Sequence, residues 1–205
     1  VDGLISSAIR ALKRPWCEDT LAAEVEGLLA ISETMDGLRS PLRLPLRIIQ
    51  VGSHLGDCIL WAVARAGCER VRATGFDPIY YVVAFAQSSI VRNGMQACAT
   101  IRSAYISDED RQNSPFKGVA SRRLDSEVSE PVGLLAININ RGNVIAALRG
   151  AKKLFWECGV GVLLVRSTEA DAFLAVQRFL RGTNSSFHYV FFVNGSRYSP
   201  PHALH

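Results

Sequence analysis

Lysine is scarce in this sequence: four of its 23 basic residues are Lys and the other nineteen Arg, set against 19 acidic residues for a net charge of +4. So small an excess, with no dense basic stripe interleaved with aromatics, leaves no electrostatic footprint for nucleic acid. Arginine in this proportion favours fixed, bidentate contacts with carboxylate or phosphate over loosely solvated charge. No apolar run of 18 or more residues lacks a charge or a turn former, so a spanning helix is excluded and membrane association is open only in peripheral form. Five cysteines, at positions 17, 58, 68, 98 and 158, form no CxxC pair and have no His at zinc spacing. Neither a disulfide framework nor a metal site is therefore expected. Free cysteines in apolar runs point to a reducing, intracellular compartment. The sequence opens on Val1 without Met, which fits initiator removal or a cleaved targeting segment, and an organelle follows in the second case. The sequons at Asn184 and Asn194, with no secretory signal, read as accidental.

What is present is a chain of 205 residues, 48% apolar and 20% charged, enough to bury a core in one or at most two domains. Leu4, Ile5, Ala8, Ile9 and Leu12, then Leu21, Val25, Leu28, Leu29 and Ser32, recur at helical spacing and predict two amphipathic helices within the first 35 residues. The aperiodic DGLRSPLRLP of 36–45 reads as a surface connection, which divides an N-terminal helical extension, 1–46, from a domain over 47–205. From Arg47 on, short apolar runs at 47–51, 71–76, 99–106, 132–138, 160–165 and 188–194 alternate with helical candidates at 55–67, 79–93, 143–156 and 169–181. Such alternation marks crossover units on a parallel sheet buried on both faces, so the fold class is α/β, doubly wound. The polar stretch 107–123 is long enough for a lid or a docking loop.

The strongest local feature is RIIQVGSHLGDCILWAVARAG, an apolar strand running through Gly52, Ser53, His54, Leu55 and Gly56 into an amphipathic helix. Glycines there permit a tight turn and close approach of a ligand, and the helix amides favour a polar or anionic group, which together suit a nucleotide-like pocket. The next strand ends in Gly75-Phe76-Asp77-Pro78. A carboxylate in that position is where this architecture holds a ribose hydroxyl pair, and Asp77-Pro78 is equally a common helix start. His54 and, behind it, His188 are the general-base candidates, since neutral imidazole suits removal of a hydroxyl proton. His202 and His205 lie in a Pro-rich tail. Phe155, Trp156, Phe187, Tyr189, Phe191 and Phe192 read as packing residues of helices and strands; Tyr80 and Tyr81, after Asp77-Pro78, read first as packing of the helix on the sheet and otherwise as flanks of a purine.

The succession VGSHLGD, GFDP, RNG at 92–94, SAYISDED, RRLDSEV, LLAININRGN and ALRGAKKLF resembles the FkbM-type S-adenosylmethionine-dependent methyltransferases over about 47–166. The resemblance implies a Rossmann-like sheet binding S-adenosylmethionine at the strand carboxyl ends. The implied contacts are the turn Gly52, Ser53 to Gly56, Asp77 on the ribose hydroxyls, Ser103 with Ala104 near the adenine, Asn138 at the fourth strand's end, and Asp57. Two departures stand out. The family usually places an acid where this chain has Gln50, and an acid-rich DxEG-type stretch where this chain has Asn138-Ile139-Asn140-Arg141-Gly142. Both remove negative charge from the position of a sulfonium and its ammonium group. A charge-assisted hydrogen bond contributes roughly 1.5–3 kcal/mol against about 1 for a neutral one, so losing two weakens affinity by a factor on the order of 10 to 1,000.

Two functions follow from this pattern. One is a methyltransferase-fold protein with weakened or lost catalysis, serving with other chains as a structural or accessory subunit of a larger assembly. The other is an active O-methyltransferase on a small or carbohydrate-like hydroxyl, in which Arg141 meets an anionic substrate.

Overall fold

The computed structural model describes residues 25–31, 44–139, 143–166, 170–182, 191–193 and 196–198. Among the described residues the first helix, α1, covers 25–31, while the expected helix over 4–12 lies outside them. There follow β1 (Leu46–Val51), α2 (Asp57–Ala66), β2 (Val71–Asp77), α3 (Tyr80–Arg92), β3 (Ala99–Ser103), β4 (Tyr105–Ser107), β5 (Ser121–Arg123) and the single turn α4 (Leu124–Glu127). Then come β6 (Val132–Asn138), α5 (Asn143–Gly150), a π-helical turn at Leu154–Cys158, β7 (Val160–Arg166), α6 (Ala170–Gly182), β8 (Phe191–Val193) and β9 (Ser196–Tyr198). Five strands form one parallel sheet in the order β3-β2-β1-β6-β7. The expected doubly wound α/β architecture is what the chain adopts.

The strand sequences read as unbroken apolar runs because each strand feeds two cores. On one face Leu46, Ile48, Ala73, Ala99, Ile101 and Leu134 pack under α2 and α3, joined by Val25, Leu28 and Leu29 of α1. On the other, Ile49, Val51, Phe76, Leu135 and Ile137 pack against Val144, Leu148, Leu154, Phe155, Val176 and Leu180. Each such side chain, fully buried, contributes about 1.5–3 kcal/mol, which outweighs any local preference. Among the described residues, no helix is long and apolar enough to cross a membrane.

Several elements depart from the sequence expectation. The run 99–106 is not one strand: Ala104 donates its amide to the Asp77 carbonyl at 3.2 Å, and the chain leaves the sheet there. β4 then pairs in parallel with β5 in a separate two-stranded sheet. The 107–123 segment is anchored. Ser121 Oγ donates to the Glu109 carbonyl at 2.9 Å, and Asp110 accepts the Arg123 amide at 2.9 Å and the Ser126 hydroxyl at 2.7 Å. The expected helix 143–156 ends at Gly150, where an added Cβ would stand 1.9 Å from the Ser107 carbonyl oxygen. A π-helical turn follows instead, its start held by Asp125, which accepts the Lys153 and Leu154 amides. Of the last run, 188–194, the described residues Phe191–Val193 pair antiparallel with β9.

The cysteines also need correction. Cys68 and Cys98 are joined in a disulfide with their Cα atoms 5.2 Å apart, and Cys58 is disulfide-bonded as well, whereas Cys158 is free. Thirty residues separate Cys68 from Cys98, and it is the β2–β3 pairing that brings the two strand entrances together. No local spacing announces that. Among the described residues there is no cluster of three or more His, Cys, Asp or Glu fit for a metal.

Candidate functional site

The carboxyl ends of β1, β2, β3 and β6 bring the candidate residues together. β1 and β2 run in parallel with Gln50 beside Gly75 and Val51 beside Phe76, so the turn after β1 rises next to the end of β2. Gly52 and Gly56 adopt positive φ of 76° and 74°, and His54, at 46°, is the non-glycine residue in that region. The turn lies flush on its neighbours. A Cβ on Gly52 would stand 2.1 Å from the Asn138 carbonyl oxygen, and one on Gly75 would stand 2.7 Å from the Ser53 Cβ. Glycine at these positions therefore serves backbone against backbone and backbone against side chain.

The turn's polar groups face one another. Gly52 and Ser53 both donate their amides to the Phe76 carbonyl, at 2.8 and 3.1 Å. Asp77, 5% exposed, accepts the His54 amide on Oδ2 and the Ile79 amide on Oδ1, each at 2.9 Å. Both readings of Asp77 thus meet in one carboxylate: it opens the α3 start through Ile79 and braces the glycine turn through His54. Each oxygen keeps a second lone pair with which to accept a hydroxyl.

Gln50 is 3% exposed and Ser53 fully buried; neither Gln50 Oε1 nor Ser53 Oγ has a hydrogen-bond partner. His54 and Ser103 are exposed, Ser103 standing beside Asp77 in the β2–β3 register. Ala104 is buried and Asn138 half-buried at the end of β6. Asp57 opens α2, and burial pushes its carboxyl above the ordinary range, against the pull of the Cys58 amide, its own amide and His54. Asn140, Arg141 and Gly142 lie outside the described residues, as do His188, His202 and His205.

Tyr80 and Tyr81 do not pack α3 onto the sheet as the sequence suggests: they are 74% and 64% exposed beside Asp77. Phe85 and Trp156 are exposed too, while Phe155 is buried as expected. Sequence reasoning missed the Phe76 carbonyl as the double acceptor of the turn, since a main-chain group leaves no mark on residue identity.

No family model matches the chain, and no curated protein is found similar to it. Among solved structures it is similar to the methyltransferase FkbM from Methylobacillus flagellatus KT, at 13% identity and a TM-score of 0.58, over 76% of this chain and 41% of that one. It is also similar to an S-adenosylmethionine-dependent O-methyltransferase from Thermotoga maritima, at 13% identity and a TM-score of 0.51, over 87% of this chain and 56% of that one. The fold is that of S-adenosylmethionine-dependent methyltransferases. The chain spans less than two thirds of the length of either protein.

Within the methyltransferase fold, the residues can be tested against the cofactor the fold implies. A nucleoside meets a suitable end: the glycine turn and a carboxylate with spare lone pairs stand together. Among the described residues, the cationic end of S-adenosylmethionine finds the poorer match. Gln50 offers an uncharged amide, and both oxygens of Asp77 already accept an amide. The Gly52, Ser53 and His54 amides are committed to Phe76 and Asp77.

Proposed function

We propose that this chain is a methyltransferase-fold protein with weakened or lost catalysis that serves as a structural or accessory subunit of a larger assembly. The observation that carries this reading is the closed hydrogen-bonding of the glycine turn: its first three amides end on Phe76 and Asp77, with a neutral Gln50 beneath. The exposed aromatics Tyr80, Tyr81, Phe85 and Trp156 support the subunit role, since large apolar side chains facing solvent are the raw material of protein interfaces. Calorimetric titration with S-adenosylhomocysteine tests it. The expected result is no saturation tighter than about 100 μM, whereas a dissociation constant of a few μM overturns the reading. Tight binding would favour the alternative, an active O-methyltransferase with His54, exposed at the turn, as general base.

A further inference from the structure

A cavity of about 410 Å³ opens at the amino ends of β1, β2 and β3, the opposite end of the sheet from the glycine turn. Arg72 stands five residues before Asp77 on β2, about 16 Å along the strand. Here, among the described residues, the sheet is covered on one face only. Arg47, Arg72, Thr74 and Thr100 share the face opposite α2 and α3, in register as Arg47 beside Arg72 and Thr74 beside Thr100. Higher up, the same face is closed by Ile49, Phe76, Ala104, Ile106 and Leu124; lower down, it forms the cavity.

Two guanidinium groups side by side on neighbouring strands repel one another. Glu130 pairs with Arg47 and offsets one of them. Arg72 donates to the Ala97 carbonyl and, among the described residues, has no carboxylate partner. The cavity thus carries an excess of one positive charge beside two threonine hydroxyls. Pro45 and Pro131 give it apolar walls, and its volume falls in the range of small-molecule sites.

We propose that this cavity binds a small phosphorylated molecule, with the Arg72 guanidinium and the Thr74 and Thr100 hydroxyls donating to the phosphate oxygens and the carbon body lying along Pro45 and Pro131. A planar guanidinium fork matches a phosphate in two parallel hydrogen bonds, and hydroxyl donors complete the shell without adding charge. Glu130, on the rim, keeps Arg47 engaged and sets the strength of the site. The inference is independent of the methyl-donor reading, because the two sites share no residue.

Calorimetric titration of the full chain with phenyl phosphate tests it, with benzoate and inorganic phosphate as comparison probes. Saturable binding of phenyl phosphate is expected, weakened about tenfold or more in Arg72→Gln and strengthened several-fold in Glu130→Gln. Arg178→Gln, which removes an exposed charge on α6, is expected to leave it unchanged. Circular dichroism verifies that Arg72→Gln folds; should it fail to, Thr100→Val is read in its place, with a loss of about threefold or more expected. Absence of saturable binding overturns the proposal. So do equal losses in Arg72→Gln and Arg178→Gln, or benzoate binding as well as phenyl phosphate.

Discussion

Replacing Gly52 by alanine is expected to destabilise the protein by about 3 kcal/mol or more, the sum of two costs. A non-glycine residue at positive φ costs about 1–2 kcal/mol. The added methyl group also meets the Asn138 carbonyl oxygen at 2.1 Å and the Ile139 Cγ2 at 2.9 Å, so β6 and the turn must separate. Separation opens a junction at which the Gly52 and Ser53 amides are bonded to Phe76. Gly94 supplies the comparison: its φ is +67°, and nothing lies within 4 Å of its added Cβ. Gly94→Ala is therefore expected to cost about 1 kcal/mol, the conformational part alone. Urea denaturation of the two variants measures the difference, and equal costs would refute the close packing of the turn on β6.

Asp77→Ala is expected to cost about 2–4 kcal/mol. The substitution leaves the part-buried His54 and Ile79 amides without their acceptor, and a donor that loses its partner while shielded from water costs about 1–3 kcal/mol. Asp77→Asn keeps a carbonyl oxygen for one amide and sets an NH₂ against the other, so it is expected to lose much of the same stability. Hydrogen exchange at the His54 and Ile79 amides separates this bracing role from a residue that only awaits a ligand. Faster exchange at both positions in Asp77→Ala is the predicted signature. Unchanged exchange, with stability within about 0.5 kcal/mol of the parent, would contradict it.

The sheet was legible in the sequence because its strands are buried on both faces: LRIIQV and VGLLAIN each feed two cores, and composition alone declares that. The glycine turn and Asp77 were legible as residues that belong together, but not as partners of each other, since the carbonyl that takes two of the turn's amides is main chain. Where the reading failed, a long-range contact decided the matter. The chain leaves the sheet after the Ala104–Asp77 bond to pair β4 with β5, Gly150 lets its helix approach the Ser107 carbonyl, and Cys68 meets Cys98 only once β2 and β3 have paired. Tyr80 and Tyr81 were misplaced for a related reason. Helical period identifies a packed face only where something covers it, and the face of α3 against the sheet is filled by Val82, Val83, Ala86 and Ile90. Nor does the sequence show Arg47 and Arg72 as neighbours, because the register that sets them side by side belongs to two strands separated by a helix.

The claim at the centre of this account is that the turn's amides are already spent on the protein itself. The amide chemical shifts of Gly52, Ser53 and His54, followed by heteronuclear NMR as S-adenosylmethionine is added to about 1 mM, test it most directly. The account predicts that all three resonances stay in place. Saturable movement of the three together would show the amides exchanging Phe76 and Asp77 for the cofactor, and would contradict it.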